Sequence, residues 1–251
     1  MPASGADTRG TVNRSTLRQQ LTDALRDEVL AGRLQPGREF TVKQIAESYE
    51  VSATPVREAL VELAAQGLLD SAQHRGFRVR AYTAAEFKGM VEARRLIVEG
   101  VHHRLALAAS DLPPDGFVVL RRRAEEAGRA ARAGELDVLI GYDLRFWNSL
   151  ASIIGNPHIA EFLHQLRVRC WVFSVPHLRE SPDLRGSGLL WSGYEEVVAA
   201  LVRCDVEAVY EVLAAHDEAA LRWAEGLSGP AGQGAWREAG DGCVGTTLGH
   251  S

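Results

Sequence analysis

Cysteine is scarce in this chain of 251 residues: Cys170, Cys204 and Cys243 are odd in number and far apart. Such spacing signals neither a disulfide framework nor a zinc motif. No apolar run reaches the roughly 18 residues that a membrane span requires. The opening stretch, MPASGADTRGTVNRS, is polar and lacks the apolar core of a signal peptide, so a cytoplasmic protein is expected. No solenoid-type repeat is visible. There is also no nucleophile elbow, phosphate loop or zinc-hydrolase motif to support reading His216 and Asp143 as an acid–base pair, so an enzyme is not expected.

What is present is ordinary for a globular protein: 46% hydrophobic and 24% charged residues, enough for one large or two modest domains. The net charge of −5 argues at first against a nucleic-acid partner. Division at Ala81 changes that picture. The N-terminal part carries eleven Lys/Arg against ten Asp/Glu, and the remainder carries seventeen against twenty-three. The acidity therefore belongs to the C-terminal part. Arg33, Arg38 and Lys43, with Arg75, Arg78 and Arg80, supply local basic character on either side of one segment, and local character is what a DNA-binding face needs.

That segment is Val51-Ser52-Ala53-Thr54-Pro55-Val56-Arg57-Glu58-Ala59-Leu60, followed by Leu63 and Gly67-Leu68-Leu69. Ser52 suits an N-cap and Pro55 the first helical turn. Val56, Leu60 and Leu63 recur on one apolar face, while Thr54, Arg57 and Val61 point elsewhere. A short helix with a buried back and an arginine in its polar first turns fits a DNA major groove.

Around it, residues 1–14 read as a disordered arm. Leu17, Leu21, Leu25, Val29 and Leu30 mark a helix that Gly32 closes, Pro36-Gly37 marks a turn, and Thr41 caps a short helix reaching about Ser48. Leu68–Ser71 and Phe77–Ala81 read as two strands around Gln73-His74-Arg75-Gly76. Residues 15–81 thus predict a winged helix-turn-helix. From Thr83 onward the pattern is helical throughout, with helices expected at 83–109, 114–133, 136–152, 157–178, 188–203 and 206–226. No segment there alternates with period two, so residues 82–226 predict an all-α bundle. The glycine-rich 227–251 reads as a disordered tail. The fold class is mainly α.

Residues 17–80 resemble the DNA-binding domain of the GntR family of bacterial transcription regulators. The matching run is Gly32-Arg33-Leu34, Pro36-Gly37, Ile45-Ala46, Val51-Ser52, Thr54 through Leu60, Leu63, Gly67-Leu68 and Arg75-Gly76-Phe77. Residues 83–226 resemble the helical effector domain of the FadR-like branch, called FCD, through Arg95-x-x-x-Glu99, Asp143-Leu144-Arg145-Phe146, Gly155-Asn156-Pro157, and Asp205 with His216. The resemblance implies a dimeric, ligand-responsive regulator on a pseudo-palindromic operator. It implies DNA contacts from Arg33, Lys43, Ser52, Thr54, Arg57, Arg75 and Gly76. Two positions depart from the family: Ala53 stands where an arginine is common, and Glu50 where glycine often closes the turn.

Many domains of this kind hold a divalent metal through an aspartate, a histidine four residues later, a histidine opening the penultimate helix and a histidine on the last. Carried over, the pattern gives Asp143 and His216, but Trp147 and Tyr194 at the other two positions. Indole does not ligate metals and a neutral phenol ligates poorly, so neither metal nor cofactor is expected. The resemblance places Arg95, Asp143, Trp147, Tyr194 and His216 around one cavity. An arginine fork between aromatic walls suits a carboxylate or another small organic anion. The alternative is a constitutive DNA-binding regulator in which Trp147 and Tyr194 fill a vestigial pocket.

Overall fold

Local side-chain capping sets where several helices begin. The computed structural model describes residues 9–72, 76–111, 114–181, 184 and 190–227. In the N-terminal half, α1 (Arg9–Leu30), α2 (Val42–Ser48) and α3 (Ala53–Ala65) pack with strands β1 (Glu39–Phe40), β2 (Leu69–Ala72) and β3 (Gly76–Val79). Thr41 opens α2 through a capping box: its hydroxyl accepts from the Gln44 amide, and the Gln44 side chain accepts from the Thr41 amide at 2.7 Å. Ser52 caps α3 by backbone geometry alone, and its hydroxyl makes no capping bond.

The helix-turn-helix turn runs through Glu50, which sits at φ +53°, in the left-handed region that glycine favours. Its neighbours Val51 and Tyr49 donate backbone bonds into α2, which holds that geometry in place. The wing is a three-stranded antiparallel sheet in the order β1-β3-β2, with Phe40 opposite Phe77 and Ser71 opposite Phe77 on the other side. β1 was not among the expected strands, because two residues are too short to show an alternating pattern.

The C-terminal half is helical: α4 (Ala84–Ala109), α5 (Pro114–Ala133), α6 (Leu136–Ile153), α7 (Pro157–Arg179), α8 (Tyr194–Val202) and α9 (Val206–Leu227). Thr83 and Glu86 form a second capping box at α4, with 2.8 Å from the Thr83 amide to the carboxylate. Asn156 caps α7 by accepting from the amides of His158 and Ile159, and Pro157 occupies the first turn, where its missing donor costs nothing.

Three helix boundaries differ from the sequence reading: α8 begins at Tyr194 rather than at 188, and the described residues 190–193 lie outside it. α1 begins at Arg9, so residues 9–14 of the expected arm are helical; once a helix is nucleated, each added residue gains a backbone bond for little entropy. α9 runs through Leu227, the first residue assigned to the tail. Residues 1–8 and 228–251, where the rest of the expected arm and tail falls, lie outside the described residues.

Val56, Ala59, Leu60 and Leu63 of α3 are fully enclosed against Leu21 and Leu25 of α1 and Val79 of the wing. Burying each of the larger side chains contributes about 1.5–3 kcal/mol. The same apolar cluster continues into α7 through Val168, Val172 and Val175, so the two halves share a core. Arg169 of α7 donates to the Gln66 carbonyl at the end of α3 (2.9 Å), and Tyr82 donates to the Gly67 carbonyl (2.6 Å). Among the described residues, no helix is long and apolar enough to cross a membrane.

Candidate functional site

The spacing of α3 turns its apolar residues inward and leaves Ser52, Ala53, Thr54, Arg57 and Val61 exposed. Of the carboxylates near Arg57, Glu62 faces Arg18 at 3.8 Å and Asp70 faces Arg78 at 3.7 Å, while Glu58 on the same helix and Glu50 in the same groove form no ion pair with it. Among the described residues Arg57 has no ion pair. Lys43 shares a shallow groove with Ala53 and Arg57, and its ammonium lies 3.7 Å from Glu47. An unpaired guanidinium beside free hydroxyls, on the rigid face of a helix, is what phosphate and base-edge contacts require.

Three of the expected DNA residues need separate comment. Arg33 stands apart from this face: it pairs with Glu28 at 2.9 Å in the turn after α1, within electrostatic reach of Asp137 at the start of α6. It belongs to the junction between the halves, because Gly32 (φ +70°) turns the chain toward α7. Gly76 opens β3 at φ +105°, and a Cβ there would lie 2.3 Å from the Phe40 carbonyl oxygen. The close approach of β1 is therefore sufficient reason for a glycine. Arg75 lies outside the described residues.

In the helical half, burial sorts the expected pocket residues. Asp143 is fully enclosed at the centre of α6, and Tyr194 and His216 are buried beside it from α8 and α9. Arg95 is exposed on α4. The residue that enters the interior is its neighbour Arg94, with a side-chain exposure of 8%. One helical step turns a side chain by about 100°, so adjacent arginines cannot share a face.

Asp143 is saturated with donors. Trp147 and Tyr194 donate to its Oδ1 at 2.9 and 2.7 Å, and Trp171 donates to its Oδ2 at 2.6 Å. Arg167 of α7 grips both oxygens, with Nε 2.7 Å from Oδ2 and Nη2 on Oδ1. Burial alone would raise the carboxyl, but the Arg167 guanidinium and the other donors hold it below its usual range. Burial likewise opposes the charge of Arg167, and Asp143 more than restores it. Burial and the neighbouring carboxylate push the Tyr194 phenol well up, which keeps it a donor.

Arg167 also reaches His216, with Nη1 2.9 Å from Nε2, and its guanidinium stacks 4.9 Å from the Trp147 ring. Burial, Arg167 and Arg94 press the His216 imidazole down to about 4, so it is neutral at pH 7. The contacts assign its tautomer: Nε2 accepts from Arg167, and Nδ1 donates to Asp217 at 3.1 Å. Asp217 in turn holds Arg94 through Nε at 2.9 Å and Nη2 at 2.5 Å. The result is a continuous buried array: Asp143, Arg167, His216, Asp217, Arg94.

This array does not fit a metal. The Asp143 lone pairs are spent on five donors, the His216 Nε2 lone pair is spent on Arg167, and the Arg167 cation already stands beside both groups. Among the described residues no group of three or more His, Cys, Asp or Glu is arranged to hold one. Arg94, Arg167, Asp217 and Trp171 were missed as site residues. No short motif marks them; the pairing of buried charges across α4, α6, α7 and α9, with the Trp171 bond to Asp143, identifies them.

Above the array lies a cavity of about 400 Å³, within the range of ligand pockets. Arg94, Arg167, Tyr194 and His216 form its polar wall, Arg222 also borders it, and Trp171, Trp191 and Trp223 supply flat apolar walls. No carboxylate borders it among the described residues. Trp147 instead borders a separate apolar slot of about 50 Å³ on the far side of Arg94 and Arg167.

Comparison with known proteins agrees on both halves. The gntR family of bacterial regulatory proteins matches residues 12–79, and the FCD domain matches residues 90–219. The HTH-type transcriptional regulator McbR of Escherichia coli K12 is 28% identical over 160 residues, spanning 64% of this chain and 71% of McbR. A probable D-xylose utilization operon repressor of Paenarthrobacter nicotinovorans is 42% identical over 97 residues, spanning 38% of this chain and 42% of that protein. The structure of E. coli McbR/YncC superposes with a TM-score of 0.72 at 24% identity, over 85% of this chain and 99% of that one. A GntR regulator from Rhodococcus sp. RHA1 follows the same fold with a TM-score of 0.65 at 21% identity, over 83% and 97%.

Proposed function

Since the chain belongs to the FadR-like branch of the GntR family of bacterial transcription regulators, with an FCD domain as its helical half, we propose that it is a ligand-responsive regulator whose cavity senses a small organic anion without a metal. It is a DNA-binding regulator rather than an enzyme. The observation that carries the sensor reading is the cavity wall: three arginines and no carboxylate among the described residues, in a space of about 400 Å³. A vestigial pocket filled by Trp147 and Tyr194 would leave no such space. Both residues are instead turned onto Asp143.

On the DNA side, the reading assigns Ser52, Thr54, Arg57 and Lys43 to operator contact, with Arg75 and Gly76 at the wing. The regulator acts as a homodimer on a pseudo-palindromic site. Leu96 and Leu107 on α4 and Val118 on α5, each more than 60% exposed, give apolar surface for the contact between copies. An effector acts by binding one arrangement of the DNA-binding halves better than the other.

An electrophoretic shift on the DNA upstream of the protein's own gene tests the proposal, with and without a panel of small carboxylates. Binding that some carboxylate weakens or strengthens supports a sensor. Binding that none alters supports constitutive occupancy.

A further inference from the structure

Arg94 and Arg167 both border the cavity, and neither spends all its donors on the array. Arg167 uses Nε and one N–H of Nη2 on Asp143, and one N–H of Nη1 on His216. The second N–H of each terminal nitrogen has no partner among the described residues. Arg94 uses Nε and Nη2 on Asp217, and its Nη1 has none. The side chains are 8% and 10% exposed, and the free donors open onto the cavity without being sealed from water. A carboxylate in the cavity exchanges that water for charge-assisted bonds.

We infer that Arg167 is the cavity's resident cation, standing where a divalent ion would bridge Asp143 and His216, and that Arg167 and Arg94 together seat the carboxylate of a monoanionic, flat-bodied ligand. The inference rests on the sensor reading above and deepens it. The array itself is balanced: Asp143 and Asp217 offset the two guanidiniums, and Arg222 at the cavity is paired with Glu218 at 3.4 Å. A ligand therefore meets donors on the arginine wall with no carboxylate lining the cavity among the described residues, which suits a single carboxylate. A carboxylate matches a guanidinium in geometry, forming two parallel bonds. The three tryptophans then select for a planar apolar body. His216 fixes the spacing of the two arginines, since it accepts from one and donates to the carboxylate that holds the other.

The test uses the full-length protein in EDTA, titrated calorimetrically with benzoate, indole-3-acetate and octanoate, and with the corresponding amides. The carboxylates are expected to bind and to raise the melting temperature, with each amide about tenfold weaker or worse. Arg94→Gln and Arg167→Lys should each weaken carboxylate binding about tenfold. Arg167→Lys keeps a charge opposite Asp143, so the fold survives, and circular dichroism checks that it does. Replacing EDTA with Zn²⁺ should leave the affinity unchanged. Carboxylates and amides binding alike, with both lost in the cavity-filling Ser174→Trp, would overturn the two-arginine seat and leave the sensor standing. A tenfold gain with Zn²⁺ would overturn the resident-cation assignment. Binding of no probe would overturn the seat and the sensor together.

Discussion

Asp143 and Arg167 each lose a counter-charge if the other is removed, in surroundings where solvent cannot replace it. Arg167→Met or Asp143→Asn is therefore expected to cost about 3–5 kcal/mol in urea unfolding. His216 adds a pH dependence of definite sign. Its native value is about 4, against about 6.5 in the unfolded chain. Below pH 6.5 the unfolded state takes up a proton that the native array refuses until pH 4. Stability therefore falls as pH drops through that window, by roughly 3 kcal/mol in all. Asp143 and Asp217, held low, add their loss only beneath the normal carboxylate range. Unfolding measured between pH 7 and pH 4 should show the slope in the wild type and not in His216→Gln. Of these residues Asp143 and His216 were legible in the sequence through a family pattern, whereas Arg167 was not. A buried arginine looks like any other until its partners, 24 and 49 positions away, are known.

α7 lies between the two halves and touches both. Arg167, Trp171 and Ser174 border the cavity, while Arg169 donates to the carbonyl of Gln66, the C-cap of α3, where the helix dipole welcomes a cation. Arg169→Ala is expected to cost about 1 kcal/mol of stability and to loosen α3 relative to the bundle. Hydrogen exchange should show faster exchange at the end of α3. Gly67 sits at φ +82°, and a Cβ there would lie 2.7 Å from Arg169 Nε and 2.8 Å from the Tyr82 hydroxyl. Gly67→Ala therefore combines left-handed strain with displacement of both contacts, and is expected to cost more than Arg169→Ala does. The opposite case is Glu50, whose φ of +53° strains a non-glycine residue at an exposed turn. Glu50→Gly is expected to stabilise by about 0.5–1 kcal/mol, read as a higher melting temperature. The starts of α2, α4 and α7 were legible because Thr41, Thr83 and Asn156 act locally. The facing of α4 was not, since choosing Arg94 over Arg95 depends on what packs against the helix.

At the scale of the whole molecule, a chain of net charge −5 must bind a polyanion through one oriented face. On the proposed reading the acidic bundle repels the duplex and docking is through α3 and the wing, and ion release makes the gain depend on salt. Arg57 projects from α3 without an internal partner, whereas Arg33 is paired with Glu28 beside α6. The two arginines therefore make opposite predictions although both were read from the same family motif. Arg57→Ala should weaken binding to the upstream duplex and reduce the slope of log affinity against log salt by about 1 per protomer if it clamps a phosphate. If it reads a guanine instead, the loss should concentrate on operator over random DNA, at about 1–3 kcal/mol. Arg33→Ala should change neither the slope nor the preference. Fluorescence anisotropy across about 50–200 mM salt distinguishes the cases. An unchanged slope and an unchanged operator preference in Arg57→Ala would remove α3 as the reading element. A reduced slope in Arg33→Ala would mean that the junction between the halves opens toward DNA on binding.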